Sequence, residues 1–118
     1  MDSKFFVPFE TAKQLKEKGY PQDMDYLYDT DGCRKWRHLT LYQMDKLNFV
    51  AAPTYHEVVD WLREQYGLIV CVGFSVARCW TWSVGRLREI LTLGAYGEKE
   101  STREEALNVA ILKALEMI

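Results

Sequence analysis

The stretch of residues 54–74 constrains the fold more than any other part of the sequence. It begins with an amphipathic helical pattern that ends at Gly67, and the apolar run LIVCVGF follows at once. Glycine commonly ends a helix because it adopts the left-handed backbone conformation without strain. A short apolar run after such a stop favours a buried strand. A fold that contains this stretch must therefore have both helices and strands.

Two further segments predict helices, which makes three with residues 54–66. Residues 9–18, FETAKQLKEK, are followed by Gly19, and residues 102–117 close the chain with an apolar stripe at helical spacing. Two helix starts carry the spacing of a capping box, in which a Ser or Thr side chain and a Glu three residues later bond each other's backbone amides. These boxes are Thr54 with Glu57 and Ser101 with Glu104.

Four strands are predicted as two hairpins. The turn DTDG separates residues 24–28 from residues 33–42, and an Asp-Gly pair favours a tight reversal of the chain. The segment RCWTWSV is predicted to pair with LIVCVGF. Residues 86–100 remain open between a short third strand and a loop.

These elements follow the order αββαββα, which predicts an α+β fold. We expect one domain over residues 1–118, with a mainly antiparallel four-stranded sheet covered by three helices. A chain of 118 residues has the length of one typical domain, and a hydrophobic content of 48% is enough for a core. At this size we expect the chain to fold without a disulfide, metal or cofactor.

The sequence His56-Glu57-x-x-Asp60 is one residue away from the H-E-x-x-H motif of zinc peptidases. On a helix, however, His56 and Asp60 lie opposite the apolar stripe, whereas a zinc pair should face a cleft. Glu57 is already accounted for by the capping box with Thr54. We therefore predict that these residues bind no zinc and that His56 is exposed.

Basic and aromatic residues alternate in two parts of the chain. The set comprises Arg34, Lys35, Trp36, Arg37, Arg78, Arg86 and Arg88. Such residues could hold phosphates while a ring stacks on a base, which makes nucleic-acid binding an alternative function. Half-exposed strands whose Arg stems cover inward-facing Trp rings explain the pattern equally directly. A net charge of −2 and a pI near 5.7 give no global attraction for nucleic acid, so the second explanation is preferred.

The last helix has more apolar residues than one sheet face needs. Val109 and Leu112 fall on its polar side, among Glu and Lys residues. This placement predicts a homodimer interface, because a self-complementary contact would bury each residue twice. The alternative is that residues 86–100 fold over this face within one chain.

Motifs for catalysis are missing from the sequence. It has no nucleophile elbow, phosphate-binding glycine loop or dinucleotide fingerprint, and only two histidines are available for acid–base chemistry. We therefore predict no catalytic residues and no enzyme activity. The opening MDSKFFVPFE lacks a signal-peptide pattern, and no apolar run approaches the ~20 residues of a membrane span, which predicts a cytoplasmic protein.

Three blocks of the sequence resemble a group of small uncharacterised proteins of gut bacteria, their prophages and other mobile elements. The blocks are residues 11–19, 52–64 and 104–107, within TAKQLKEKG, APTYHEVVDWLRE and EEAL. They cover under half of the chain, and the group offers no activity, ligand or catalytic residue to carry over. A more remote resemblance is to α-β-α sandwich domains of phages.

The preferred function is that of a small non-enzymatic accessory protein, of the phage or mobile-element type that the resemblance implies. It would act by binding another protein or a second copy of itself, without a membrane or a metal. A nucleic-acid-binding module that uses the Arg/Trp strands is the first alternative. An enzyme without a recognisable motif is the second.

Overall fold

The structure is a computed structural model that describes residues 3–36, 39–75, 78–86, 92–100 and 102–118. The chain divides into two compact units, Met1–Thr54 and Tyr55–Ile118. Both contain helices and antiparallel strands, which confirms the α+β class. The single domain over the whole chain stays a prediction. Within the described ranges, no helix is long and apolar enough to cross a membrane.

The elements of each unit follow one another with short connections. The first unit has a 3-10 turn (Ser3–Phe5), α1 (Phe9–Glu17), β1 (Tyr26–Tyr28), β2 (Arg34–Trp36), α2 (Leu41–Lys46) and β3 (Val50–Ala51). The second unit has α3 (Tyr55–Tyr66), β4 (Leu68–Phe74), β5 (Trp80–Arg86), β6 (Thr92–Glu100) and α4 (Arg103–Glu116). The three predicted helices and the two predicted hairpins are confirmed.

The predicted four-stranded sheet under three helices is wrong. In the part of the chain that the structure describes, there are four α-helices and two three-stranded antiparallel sheets, with strand orders β2-β1-β3 and β4-β5-β6. In each unit a third strand pairs with one strand of the hairpin, β3 with β1 and β6 with β5. Both edges of β1 and of β5 are therefore occupied by strands of the same unit. The open segment 86–100 contains β6, which starts at Thr92.

The strand predicted for residues 33–42 is also wrong in its second half, because β2 ends at Trp36 and α2 begins at Leu41. Thr40 and Gln43 form a capping box at this start. The Thr40 hydroxyl accepts from the Gln43 amide at 3.2 Å, and the Gln43 side-chain oxygen accepts from the Thr40 amide at 3.0 Å. The T-x-x-Q spacing was the sequence signal for this helix.

Helices α1 and α2 end in the same way. Gly19 (φ 90°) and Asn48 (φ 59°) take the left-handed conformation after the last turn. The next residue, Tyr20 or Phe49, donates its amide to the carbonyl five residues earlier, at 3.0 and 2.8 Å. These bonds satisfy carbonyls that the helix itself leaves free. The predicted cap at Gly19 is confirmed.

The first hairpin turns at the predicted Asp-Gly pair. Asp29 donates its amide to the Cys33 carbonyl, and Gly32 (φ 81°) donates its amide back to Asp29, both at 3.0 Å. The buried Asp29 carboxylate accepts from the amides of Asp31 (2.9 Å) and Cys33 (3.0 Å) and forms a salt bridge with Lys35 (3.0 Å). The turn is thus held by side-chain as well as backbone bonds.

In the second unit, α4 packs against β4, β5 and β6, and α3 packs against β4 and α4. The unit buries apolar residues of α3, β4, β5 and α4: Tyr55, Val58, Leu62, Leu68, Val70, Trp82, Val84, Ala106, Ala110, Ile111, Ala114 and Leu115. Burying one Leu or Ile side chain contributes about 1.5–3 kcal/mol. Alanines at helical spacing on α4 let the helix approach the sheet closely.

A close cross-strand contact joins β5 to β6, where Trp82 lies opposite Gly97. A β-carbon at position 97 would lie 2.6 Å from Cε2 of the Trp82 indole, closer than side-chain carbons approach in proteins. Gly97 therefore leaves room for the ring, and Trp82 is buried as a result. The sheet position of this indole depends on a glycine in the neighbouring strand.

The start of α4 differs from the prediction by one residue. Thr102 is the N-cap, and its hydroxyl accepts from the Glu105 amide at 3.1 Å. The predicted pair began at Ser101, which lies outside the described residues. Because Arg103 is the first helical residue, the residue before it has the extended backbone that a cap requires. The box between Thr54 and Glu57 stays a prediction.

Candidate functional site

The structure places the predicted Arg/Trp residues in two units rather than on one strand pair. Arg34, Lys35 and Trp36 form β2 in the first unit, whereas Arg78 and Arg86 belong to the second. Arg37 and Arg88 lie outside the described residues. A common surface for the whole set therefore stays a prediction.

Because successive side chains of a strand lie on opposite faces of the sheet, Arg34 and Trp36 of β2 share one face and Lys35 lies on the other. Arg34 and Trp36 lie opposite Tyr28 and Tyr26 of β1. The Arg34 guanidinium carbon is 4.0 Å from the centroid of the Phe6 ring, and the Trp36 ring meets the Tyr26 ring edge-on at 5.1 Å.

We name Phe6, Tyr26, Arg34 and Trp36 the aromatic face. Phe6 joins it from before α1, with its ring 5.2 Å from that of Tyr26. Trp36 ends the row and keeps 53% of its surface exposed. An exposed ring beside a stacked cation is an arrangement that can receive a planar or anionic group.

The charge of Arg34 is available at this face. Among the described residues Arg34 forms no salt bridge, and its guanidinium carbon lies 4.0 Å from the Phe6 ring centroid and 5.9 Å from that of Tyr26. Burial raises the pKa of the neighbouring Tyr28 hydroxyl, and the positive charge of Arg34 partly offsets that rise. Tyr28 donates its hydroxyl hydrogen to the Val7 carbonyl, which holds the ring inside the unit.

Lys35 does not contribute to the aromatic face, although it belongs to the predicted set. Its ammonium group bonds the Asp29 carboxylate at 3.0 Å, and this hydrogen bond raises the pKa of Lys35. Backbone hydrogen bonding from Cys33, followed by the Lys35 bond, lowers the pKa of Asp29. Lys35 is therefore a structural partner of the hairpin turn.

A groove opens beside α2 in the same unit, with a volume of about 380 Å³. We name it the α2 groove; it is lined by Lys16, Pro21, Gln22, Asp23, Leu41, Met44, Asp45 and Phe49. Most of its wall is apolar. Lys16 spans the rim, because its ammonium group bonds the Phe49 carbonyl at 3.2 Å and lies 3.7 Å from the Asp45 carboxylate.

Large apolar side chains are exposed on and after α2. Leu41 keeps 48% of its surface exposed, Tyr42 74% and Leu47 48%, whereas Met44 points into the unit and is buried. Sequence reasoning missed Leu41 and Tyr42 because it extended the preceding strand to residue 42. The capping signal at Thr40 and Gln43 would have identified the helix and hence its exposed side.

In the second unit, the predicted interface residues Val109 and Leu112 are half-buried. The buried side of α4 is formed by residues such as Ala110 and Ile111, so Val109 and Leu112 stand beside the core rather than in it. Strand β6 belongs to the segment that the alternative to a dimer places over this helix, and it contacts α4. Their role in a dimer interface stays a prediction.

Arg86 has a structural contact, and the residues of the zinc-like motif are exposed on α3. The Arg86 guanidinium donates to the Met117 carbonyl at 2.9 Å, which ties β5 to the end of α4. His56 is exposed, as predicted, and Asp60 lies 3.5 Å from Arg63 on the same helix. Within the described residues, His, Cys, Asp and Glu side chains form no group of three that could hold a metal.

Comparisons with known proteins add no relative to this description. The chain matches no protein-family model, no curated protein and no solved structure.

Proposed function

We propose that the chain is a non-enzymatic accessory protein that binds another protein through α2 and the α2 groove. The observation that carries this proposal is the exposure of Leu41 and Tyr42 on one short helix and of Leu47 directly after it. Apolar surface removed from water contributes about 25 cal/mol per Å², so a partner gains by covering these side chains. Tyrosine is also enriched among the residues that dominate protein interfaces.

The chemistry of the groove indicates what the partner supplies. Leu41, Met44 and Phe49 present apolar surface, while the charges of Lys16 and Asp45 at the rim already neutralise each other. The remaining lining charge, Asp23, also has a contact within the chain, so a charged group entering the groove would lose water without gaining an unpaired counter-charge. The partner should therefore insert a large apolar side chain, such as Leu or Phe, with polar contacts only around the edge.

Photo-crosslinking tests this proposal in the native cell. A benzophenone amino acid replaces Tyr42, and the matched control replaces Gln14, an exposed residue of α1 in the same unit. We expect one discrete protein adduct from position 42, none from position 14, and loss of the adduct on Leu41→Asp with an unchanged circular dichroism spectrum. Equal adducts from both positions would contradict the proposal.

The partner could also be a second copy of the chain, bound through Val109 and Leu112 of α4. Both side chains keep part of their surface exposed although they are apolar. Light scattering at micromolar concentration measures this directly against a chain mass of 13.8 kDa. A doubled mass that falls on Leu112→Glu supports the homodimer, and a mass near that of one chain at all concentrations excludes it.

Nucleic-acid binding is the second candidate function, favoured by the aromatic face. Arg34 has no salt bridge among the described residues, and Trp36 is exposed beside it. A labelled single-stranded oligonucleotide titrated at two salt concentrations should bind less tightly at the higher one, since each phosphate contact adds about −0.7 to the logarithmic salt slope. Arg34→Gln and Trp36→Ala should weaken binding, whereas Lys46→Gln on α2 should not. Equal affinities for all variants would remove this candidate.

The proposal keeps the cytoplasmic location and the phage or mobile-element origin. Support for the origin is the resemblance carried by residues 11–19, 52–64 and 104–107.

A further inference from the structure

The second unit contains an open cavity of about 190 Å³ that none of the preceding functions uses. We name it the His56–Arg103 cavity; its lining is Tyr55, His56, Val59, Val70, Val72, Arg103 and Leu107. Most of the lining residues are apolar. The imidazole of His56 and the guanidinium of Arg103 are the two nitrogen-bearing side chains among them.

Helical and strand periodicities bring these residues to one place. His56 and Val59 are three residues apart on α3, and Arg103 and Leu107 are four residues apart on α4, so each pair shares a helix face. Val70 and Val72 of β4 supply the wall between them, because residues two apart on a strand share a face. Helix α3 thus brings Tyr55, His56 and Val59 to the cavity, and α4 brings Arg103 and Leu107.

The part of the chain that the structure describes leaves the charge of Arg103 unpaired. Among the described residues its guanidinium forms no salt bridge or hydrogen bond, and the adjacent Glu104 does not line the cavity. His56 likewise has no partner in that part of the chain. A half-buried guanidinium over an apolar wall is suited to a carboxylate, which it can bind through two parallel hydrogen bonds.

We propose that the His56–Arg103 cavity binds a small carboxylic acid with a short apolar body. The carboxylate would accept hydrogen bonds from Arg103 and His56, and the hydrocarbon part would lie against Val59, Val70 and Leu107. A volume of about 190 Å³ lies below the roughly 300 Å³ at which drug-sized pockets begin, which limits the ligand to about the size of benzoate. Inorganic phosphate carries charge but has no apolar part to use these walls.

Titrations followed by amide NMR shifts test the proposal with benzoate, benzamide and inorganic phosphate as probes. We expect saturable shifts around α3, β4 and the start of α4 with benzoate. Benzamide has the same shape without the charge, and phosphate has charge without the apolar body. At the concentration at which benzoate saturates the shifts, neither benzamide nor phosphate should do so. Equal binding of benzamide or of phosphate would overturn the proposal.

Variants identify the groups that hold the probe. Arg103→Gln should weaken benzoate binding by about 10-fold or more, the range of a charge-assisted hydrogen bond, and His56→Gln by about 3-fold. Arg63→Gln is the matched control, because Arg63 is an exposed arginine of α3 that does not line the cavity. Unchanged affinity in Arg103→Gln, with a native amide spectrum, would show that benzoate binds elsewhere and end the proposal. If Arg103→Gln disturbs the amide spectrum, Val59→Phe, which fills the cavity, is measured instead. Weaker benzoate binding would then support the proposal, and unchanged affinity would end it.

Discussion

The hairpins β1–β2 and β4–β5 reverse the chain with the same backbone hydrogen bonds but with different residues. In both, the first turn residue (Asp29 or Ser75) donates its amide to the carbonyl four residues on. The amide of Gly32 or Arg78 then donates back to it, and all four bonds measure 2.9–3.0 Å. Gly32 has φ 81° and Arg78 φ 61°, so a glycine and an arginine occupy the same left-handed position.

Strand pairing accounts for this tolerance. The first hairpin has three residue pairs between its strands, whereas the second has seven. A non-glycine residue in the left-handed conformation costs roughly 1–2 kcal/mol, which a long ladder can offset and a short one cannot. The short hairpin accordingly uses Gly32 and the bonds of Asp29. In the long one, the Ser75 hydroxyl lies 3.4 Å from the Cys79 sulfur. The comparison indicates that residue choice matters most where pairing is shortest.

The largest effect is expected from Gly32→Ala. An alanine there would be strained at φ 81°, and its β-carbon would lie 2.9 Å from Cδ2 of Phe9. We expect the free energy of unfolding to fall by about 2 kcal/mol, measured by urea unfolding followed by circular dichroism.

Arg78→Ala is the matched control for this change, since it keeps a non-glycine residue at the equivalent position. It should alter the free energy of unfolding by less than about 0.5 kcal/mol. A similar loss in both variants would contradict the difference drawn between the hairpins.

An acid-dependent effect is expected at Asp29 and has no counterpart at Ser75. Its pKa in the folded protein is lowered, chiefly by the Cys33 amide and then by Lys35, relative to the unfolded value near 3.9. The stabilising contribution is therefore complete above about pH 4 and is lost as the pH falls through the folded pKa. Asp29→Asn should lower the urea midpoint at pH 7 and lower it less at pH 3.

Asp31→Asn provides the control within the same turn, because Asp31 is exposed and contributes its amide rather than its carboxylate to the Asp29 bonds. It should leave the midpoints at both pH values close to those of the unmodified chain. A deficit of Asp29→Asn that is as large at pH 3 as at pH 7 would show that the charge of Asp29 does not hold the turn.

The smallest effect is expected from Arg78→Gly, and its sign is opposite. Glycine removes the left-handed strain but adds roughly 0.5–1 kcal/mol of backbone entropy to the unfolded chain. We expect a net gain of about 0.5 kcal/mol in the free energy of unfolding. A loss of stability would mean that the Arg78 side chain makes contacts that favour this turn.

Local sequence signals determined much of the fold. The helices α1, α3 and α4 follow from apolar spacing over a few turns, and the ends at Gly19 and Gly67 follow from one residue type. The turn at Gly32 is equally local. Helix α2 carried a local signal as well, in the Thr40–Gln43 spacing, but the aromatic residues before it favoured a longer strand. In all of these helices, helix ends and turns the interacting groups are separated by only a few residues, so the sequence alone is enough to predict them.

Tertiary structure decided which strands pair and which side chains meet. Leu27 pairs with Ala51 across a long connection, and a two-residue strand has no periodicity from which that pairing could be predicted. The alternation of Arg34 and Trp36 was visible in the sequence, but the Phe6 ring beneath Arg34 was not. The cavity that joins His56 to Arg103 is equally invisible, because these residues come from different helices. Such contacts depend on the packing of whole elements, whose free energy is a sum over many distant residues.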